Sequence, residues 1–259
     1  MAALAASRPT VKRSGELMCL PVKAGAQIYQ GGIVMLLSGV AIAARAATTR
    51  AELSNMQVVG IAKADALGGA TDGAVTVEVE VGIQRVANST SGDAIALGDR
   101  GQMAFVADDQ AVAKTIGGGA RAIAGEIVSV DSNGVWVDFS KARRPRRIWL
   151  PFFINETDTL APTNAELVSP VVGAITNLQT TVQKAVTTGG DVTALVGTTA
   201  VVGLACTIAD AATKGTVVTD QPTMGDATTV VAEGSRIQIA PGAPFNTAGA
   251  VSGLIEITF

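Results

Sequence analysis

The chain has 259 residues, of which 48% are hydrophobic and only 16% charged, with a net charge of −3 and no histidine. Charged residues usually make up about 25% of a globular domain, so a monomer would lack charge to cover its surface, and burial of part of that surface against other subunits is expected. The missing histidine excludes Ser-His-Asp and Cys-His catalysis, HExxH zinc sites and the usual general base near neutral pH.

Aromatic residues are 3%, so the core must be packed from Val, Ile, Leu and Ala, each burying less area than a large ring. Association would add stability by mass action, and a homo-oligomer, with a trimer expected, fits both observations. The charge balance predicts no nucleic-acid partner. No segment reads as a membrane anchor: the longest apolar stretch, Ile33 to Ala44, is too short and is broken by Ser38-Gly39.

In chain order, residues 1–16 form no periodic apolar pattern and predict an extended arm, with Arg8, Lys12 and Arg13 around Pro9 as candidate contacts to a neighbouring subunit. The start lacks the charged and apolar regions of a signal peptide. A first β module is expected over residues 17–140. It opens with Met18 to Val22, Ile28-Tyr29 and a Gly31-Gly32 turn, and the stretch 33–44 reads as strand, Ser-Gly turn, strand. Thr49 and Glu52 have capping-box spacing, which predicts a short helix within 46–55. Val75 to Val81 alternates with period two, the pattern of a half-buried strand. Met103–Val106 and Ala111–Lys114 flank the Asp108-Asp109 turn. Ile123–Val130 and Val135–Phe139 should pair across Asp131-Ser-Asn-Gly134, with Asn133-Gly134 supplying positive φ.

A basic hinge follows at 141–147, holding Lys141, Arg143, Arg144, Arg146 and Arg147 around Pro145. Pro145 holds Arg144 extended, so the arginines should splay rather than form a helix. One reading is a solvated linker kept extended by like charges; the other is contact with acidic protein surface, since guanidinium forks pair well with carboxylates. The apolar run that follows, Ile148, Trp149, Phe152 and Phe153, is expected to seat the second module by burial. Arg8, Lys12, Arg13, Arg143, Arg144, Arg146, Arg147 and Trp149 are thus the candidate interface residues.

Residues 148–259 read as a second β module. Strand candidates are Val192–Val196, Val202–Ile208, Thr216–Thr219, Arg236–Ala240 and Ala250–Phe259, separated by Gly-rich turns. Ile175, Leu178, Val182 and Val186 have near-helical spacing, but the Thr and Val content favours a long strand. The fold expected is all-β: a small N-terminal β-barrel-like domain and a C-terminal antiparallel β-sandwich, with a jelly roll as one arrangement open to it.

No pattern assigns chemistry. Gly117-Gly-Gly119 loosely matches a dinucleotide fingerprint, but a strand and not a helix follows, so a flexible loop is expected. Asp108-Asp109 and Asp131-Ser-Asn133 read as turn chemistry rather than calcium ligation. Cys19 and Cys206 lie far apart and read as two buried free thiols. No cofactor, metal or catalytic residue is predicted.

Two stretches carry a resemblance. Ala96-Leu-Gly-Asp-Arg-Gly-Gln-Met-Ala-Phe-Val-Ala-Asp-Asp-Gln-Ala-Val112 and Ala124-Gly-Glu-Ile-Val-Ser-Val-Asp-Ser-Asn-Gly-Val-Trp-Val-Asp-Phe139 resemble the capsid cement, or head decoration, proteins of tailed bacteriophages, over roughly residues 15–140. The second module is similar to β-sandwich domains of phage virion proteins, in Thr187-Thr-Gly-Gly-Asp191, Lys214 to Asp220 and Gly225-Asp-Ala-Thr-Thr229. The resemblance implies a non-enzymatic protein made in the bacterial cytoplasm and bound to the outside of the virion. There it would clamp neighbouring major capsid protein subunits, commonly as a trimer. It carries no catalytic residues, and the added second domain departs from the shortest members. The alternatives are a head fibre or tail or baseplate component, and a carbohydrate-binding module using Trp136, Trp149 or Tyr29 as a sugar platform.

Overall fold

The strictest alternation in the sequence becomes strand β7 (Thr76–Glu80), with Val77 and Val79 buried and Thr76 and Glu78 exposed. The computed structural model describes residues 16–154, 164–242 and 251–259, and it is all-β apart from a six-residue helix and short 3-10 turns. β7 joins β1 (Leu17–Pro21), β3 (Ile33–Leu37), β4 (Val40–Ala43) and β5 (Met56–Ala62) in an antiparallel sheet of order β1-β7-β5-β3-β4. β2 (Gln27–Ile28) and β6 (Ala66–Leu67) add a short ladder. β3 and β4 form the expected hairpin. Ser38 and Gly39 sit at φ 53° and 94°, the mirror-image turn whose twist suits two paired strands.

Helix α1 (Arg50–Asn55) starts later than position 46 and has half of the expected capping box. The Glu52 N–H donates to Thr49 Oγ1 at 3.1 Å. The Glu52 carboxylate, however, accepts from the Thr48 N–H (2.7 Å) and hydroxyl (2.9 Å) and pairs with Arg45, so it never reaches back to Thr49.

The rest of the first module is a closed barrel. β8 (Ile83–Asn88), β9 (Met103–Val106), β10 (Ala111–Ala113), β11 (Ile123–Asp131) and β12 (Gly134–Asp138) close in the order β10-β8-β12-β11-β9, antiparallel except for β10 with β8. The barrel therefore takes only the later half of residues 17–140, and an open sheet takes the earlier half. One apolar cluster spans both, bringing Ile33, Met35 and Met56 against Val106, Val112 and Val137. The β11–β12 turn differs from expectation in detail. Its central residues are Ser132 and Asn133, both outside the positive-φ region, and only Gly134, at φ 145°, takes the expected positive angle; Asp131 accepts from the Asn133 N–H and the Trp136 indole N–H, both at 2.7 Å.

The second module is two antiparallel sheets face to face. One has the order β13-β21-β15-β18, from β13 (Arg147–Ile154), β15 (Gly173–Val182), β18 (Val217–Asp220) and β21 (Val251–Thr258), with β19 (Val230–Val231) also on β15. The other has the order β14-β20-β16-β17, from β14 (Ala165–Val168), β16 (Gly190–Val196), β17 (Thr199–Ile208) and β20 (Arg236–Pro241). Counted 1 to 8 in chain order without the short β19, the sheets read 1-8-3-6 and 2-7-4-5. That is the double Greek key of a jelly roll. Between them lies a core that includes Phe152, Ile175, Leu178, Ile237, Ile239 and Ile255.

The near-helical spacing within β15 has a local cause. The register slips between Ile175 and Asn177, so Thr176 and Asn177 together oppose Glu256. This bulge turns Ile175 and Leu178, three residues apart, into the same core. On the neighbouring strands, Phe152 faces Gly253, and a Cβ there would collide with the ring and with the Gln179 carbonyl. Glycine is required for the aromatic to lie flat over the sheet.

Candidate protein interface

The basic run is less of a hinge than its composition implies. Lys141 ends a 3-10 turn after the barrel. Arg146 already belongs to the next ladder, because its N–H donates to the Phe259 carbonyl (2.7 Å) and its own carbonyl accepts from the Phe259 N–H (2.8 Å). Only residues 142–145 lie outside both.

The modules also touch directly, at the loop expected to be flexible. Gly117, Gly118 and Gly119 lie at φ 57°, 61° and 77°, a left-handed turn that only glycine adopts freely. Gly118 packs on the backbone of Gly225 and Asp226, accepting from the Gly225 N–H at 3.1 Å, and a Cβ on it would lie 2.5 Å from the Gly225 carbonyl carbon. Beside it, Phe105, Ile116 and Ile123 of the first module pack with Ala174 of the second. Arg50 of α1 crosses as well, its Nη2 donating to the Pro222 carbonyl at 3.1 Å.

The four arginines splay, and to different sides. Arg144 and Arg147 line a cavity with Arg50, Thr176 and Glu256. Arg143 lines a separate cleft with Lys114, Val172, Glu233 and Phe259. Arg146 is exposed. Arg147 approaches Glu256 at 3.8 Å, the one acidic partner of the run among the described residues. Glu256 is buried and accepts from the Thr176 hydroxyl at 2.6 Å. Burial pulls the Arg50 guanidinium below its usual value; Glu256 opposes that shift and the charge of Arg147 adds to it.

The apolar run after the hinge divides by strand alternation. Ile148, Leu150, Phe152 and Ile154 turn into or against the jelly-roll core, while Trp149, Pro151 and Phe153 are exposed. Trp149 and Phe153 therefore do not seat the module as expected; Trp149 is 41% exposed and Phe153 55%. β13 is an edge strand. Since Arg146 exchanges both hydrogen bonds with Phe259, the even residues face β21 and the odd ones turn their backbone groups to the open edge. Pro151 falls on the open side, where its missing N–H breaks no ladder bond. The edge thus presents Arg147, Trp149, Pro151 and Phe153 in one row, with no strand paired to it among the described residues.

Arg8, Lys12 and Arg13 lie outside the described residues. Of the cysteines, Cys206 is buried, donates to the Leu178 carbonyl at 3.2 Å and has its thiol pushed up to about 11 by that burial. Cys19 is exposed on edge strand β1, contrary to expectation, since β1 turns few side chains into a core. Trp136 lies on β12 as expected but on the outer face of the barrel, with the Arg85 guanidinium 5.8 Å from its ring centroid. Asp108 accepts from the Gln110 and Ala111 N–H groups, both at 2.8 Å, which is turn chemistry. Among the described residues no group of three or more acidic or cysteine side chains could hold a metal, and no helix is long and apolar enough to cross a membrane.

No known protein family matches the sequence, and no curated protein matches it. Among solved structures, the chain has a likeness to one titled "Structure of infectious bursal disease virus Gx strain", at 10% identity and a TM-score of 0.24, over 94% of this chain and 70% of that one. A TM-score that low assigns neither fold nor function.

Proposed function

We propose that this chain is a structural protein of a tailed-bacteriophage virion, bound to the outside of the capsid, where it cements neighbouring major capsid protein subunits as a homo-oligomer, with a trimer expected. The observation that carries the reading is the outward row on β13. Trp is among the side chains most enriched where binding energy concentrates, and here Trp149 stands exposed with Phe153 on an unpaired edge. The scarcity of charge, 16% of residues, supports a surface partly covered by other subunits. The jelly roll supports it by analogy of fold alone, since viral capsid and lectin domains both use that architecture.

The test is reconstitution on capsids that lack the protein. Saturable binding is expected, and the double variant Trp149→Ala, Phe153→Ser should lose about tenfold or more in affinity, the loss of at least ~1.4 kcal/mol that one interface anchor carries. Unchanged occupancy in that variant, or no binding by the parent, would sink the proposal. Light scattering at micromolar concentration checks the oligomer, and a strict monomer on and off the capsid would remove the trimer. Glycan binding that disappears in Trp149→Ala would instead make the same row a sugar platform.

A further inference from the structure

Between the modules lies a cavity of about 100 Å³. Its walls are Arg50 and Ser54 from α1, Arg144 from the linker, Arg147 from β13, and Thr176 with Glu256 from β15 and β21. Three guanidinium groups, charged at any physiological pH, face one carboxylate. That carboxylate is already engaged, with one oxygen accepting from Thr176 and the other 3.8 Å from Arg147. Arg144 makes no ion pair or side-chain hydrogen bond among the described residues. Arg50 spends Nη2 on a backbone carbonyl, and its Nη1 is buried with no partner.

The cavity thus holds two positive charges more than it neutralises, in a space partly cut off from water. Arg144 and Arg147 reach water, but the buried Nη1 of Arg50 does not, and a buried donor left without an acceptor is unfavourable until one meets it. Size restricts the choice. Sites for drug-sized ligands occupy about 300–1,000 Å³, so this one has room for a single small ion. Guanidinium forks favour planar or tetrahedral oxygen anions, which accept two parallel N–H bonds. We propose that this cavity is a binding site for one small oxyanion, a phosphate-type dianion or a carboxylate, held between Arg144, Arg147 and Arg50. Since Arg50 belongs to the first module and Thr176 to the second, an anion held there clamps the two modules together. The site stands whether or not the chain is a virion protein, because every residue it uses is in this chain.

The experiment uses the full chain with inorganic phosphate, with acetate, and with chloride at matched ionic strength. Phosphorus NMR should show saturable binding of phosphate. The melting midpoint should climb by about 3–6 °C per tenfold of phosphate above the dissociation constant, the shift expected when a ligand binds only the folded state of a chain this size. Arg144 is exposed and unpaired, so Arg144→Ser should fold normally while its phosphate affinity falls at least tenfold. Arg144→Lys, which keeps the charge and loses the fork, should fall between. If phosphate alone saturates, the occupant is a free dianion; if acetate also saturates, it is a carboxylate such as a partner's side chain. A response to phosphate no larger than to chloride, or one unchanged in Arg144→Ser, overturns the proposal.

Discussion

The interior of the jelly roll and the junction between the modules are held by different physics. The interior is apolar, with ring, branched side chain and backbone fitted together, as where Phe152 lies over Gly253. The junction has only a small apolar cluster, Phe105, Ile116 and Ile123 against Ala174. It closes by backbone contact at Gly118 and by a guanidinium crossing from α1 to Pro222. Area burial explains why each module folds, but charge and close approach explain how the two are joined. The junction should therefore respond to salt, anions and single methyl groups, and the interior should respond to none of these except lost volume.

The largest effect is expected from Phe152→Ala. Removing a buried aromatic typically costs about 3–5 kcal/mol, and the glycine opposite offers no side chain to fill the space. In denaturant unfolding the chain should lose that amount of stability, with the jelly roll yielding before the barrel. A loss below about 1 kcal/mol would mean that the sheet closes over the gap and that the interior is more plastic than its packing implies.

Gly118→Ala should come next, at about 1–3 kcal/mol, and should act on the junction alone. The added methyl meets the Gly225 and Asp226 backbone, and φ of +61° disfavours any side chain. Calorimetry should separate one transition into two, and proteases should gain access to residues 142–145, with both modules still folded. A single unchanged transition would show that the modules do not depend on this contact.

Much of this architecture is legible in the sequence, and the failures share a cause. Strands with one wet face announce themselves, as β7 does, because their alternation is direct. β8 has Val86 as its one buried side chain and carries Arg85; it is a strand because both its edges are paired in a closed barrel, a long-range fact that no local pattern records. β5 is interrupted by Gly60, where a Cβ would meet the Glu80 carbonyl across the sheet. The spacing of Ile175 and Leu178 imitates a helix because a bulge shifts the register. At the candidate interface, the arginine run is visible in composition, but its division between an inward pair and an outward pair is not. Arg50 carries no signal in the sequence. It sits 91 residues or more from the run and meets it only when the modules dock, so nothing local marks it.

A pH titration bears on the first-module side of the junction, where α1 carries Arg50. The Arg45 side chain, with Thr48, holds the Glu52 carboxyl at about 2, against an ordinary 4.5. A depressed carboxylate contributes stability that is whole above its unfolded pKa and is lost as pH falls through its folded one. Stability should therefore decline from about pH 4.5 towards pH 2, by at most about 1.4 kcal/mol per pH unit from this group. Glu52→Gln should flatten that part of the curve. The same slope in the variant would assign the acid sensitivity to other carboxylates.

The smallest effect on the isolated protein, and the one that divides inner from outer arginines, is expected from Arg143→Ser with Arg146→Ser. Both side chains are exposed, and neither makes an ion pair among the described residues. Substitutions at such positions usually change stability by no more than about 0.5 kcal/mol. The pair that lines the cavity, Arg144 and Arg147, should govern the response to phosphate, so the outer double variant should bind phosphate as the parent does. On the capsid the order reverses. If the outer arginines meet acidic capsid groups, the double variant should lose occupancy at low salt, and the gap from the parent should close as salt screens exposed pairs beyond about 10 Å at 0.1 M. Equal occupancy at every salt concentration would leave Arg143 and Arg146 as a solvated stretch of chain and place the whole chemical weight of the basic run inside the junction.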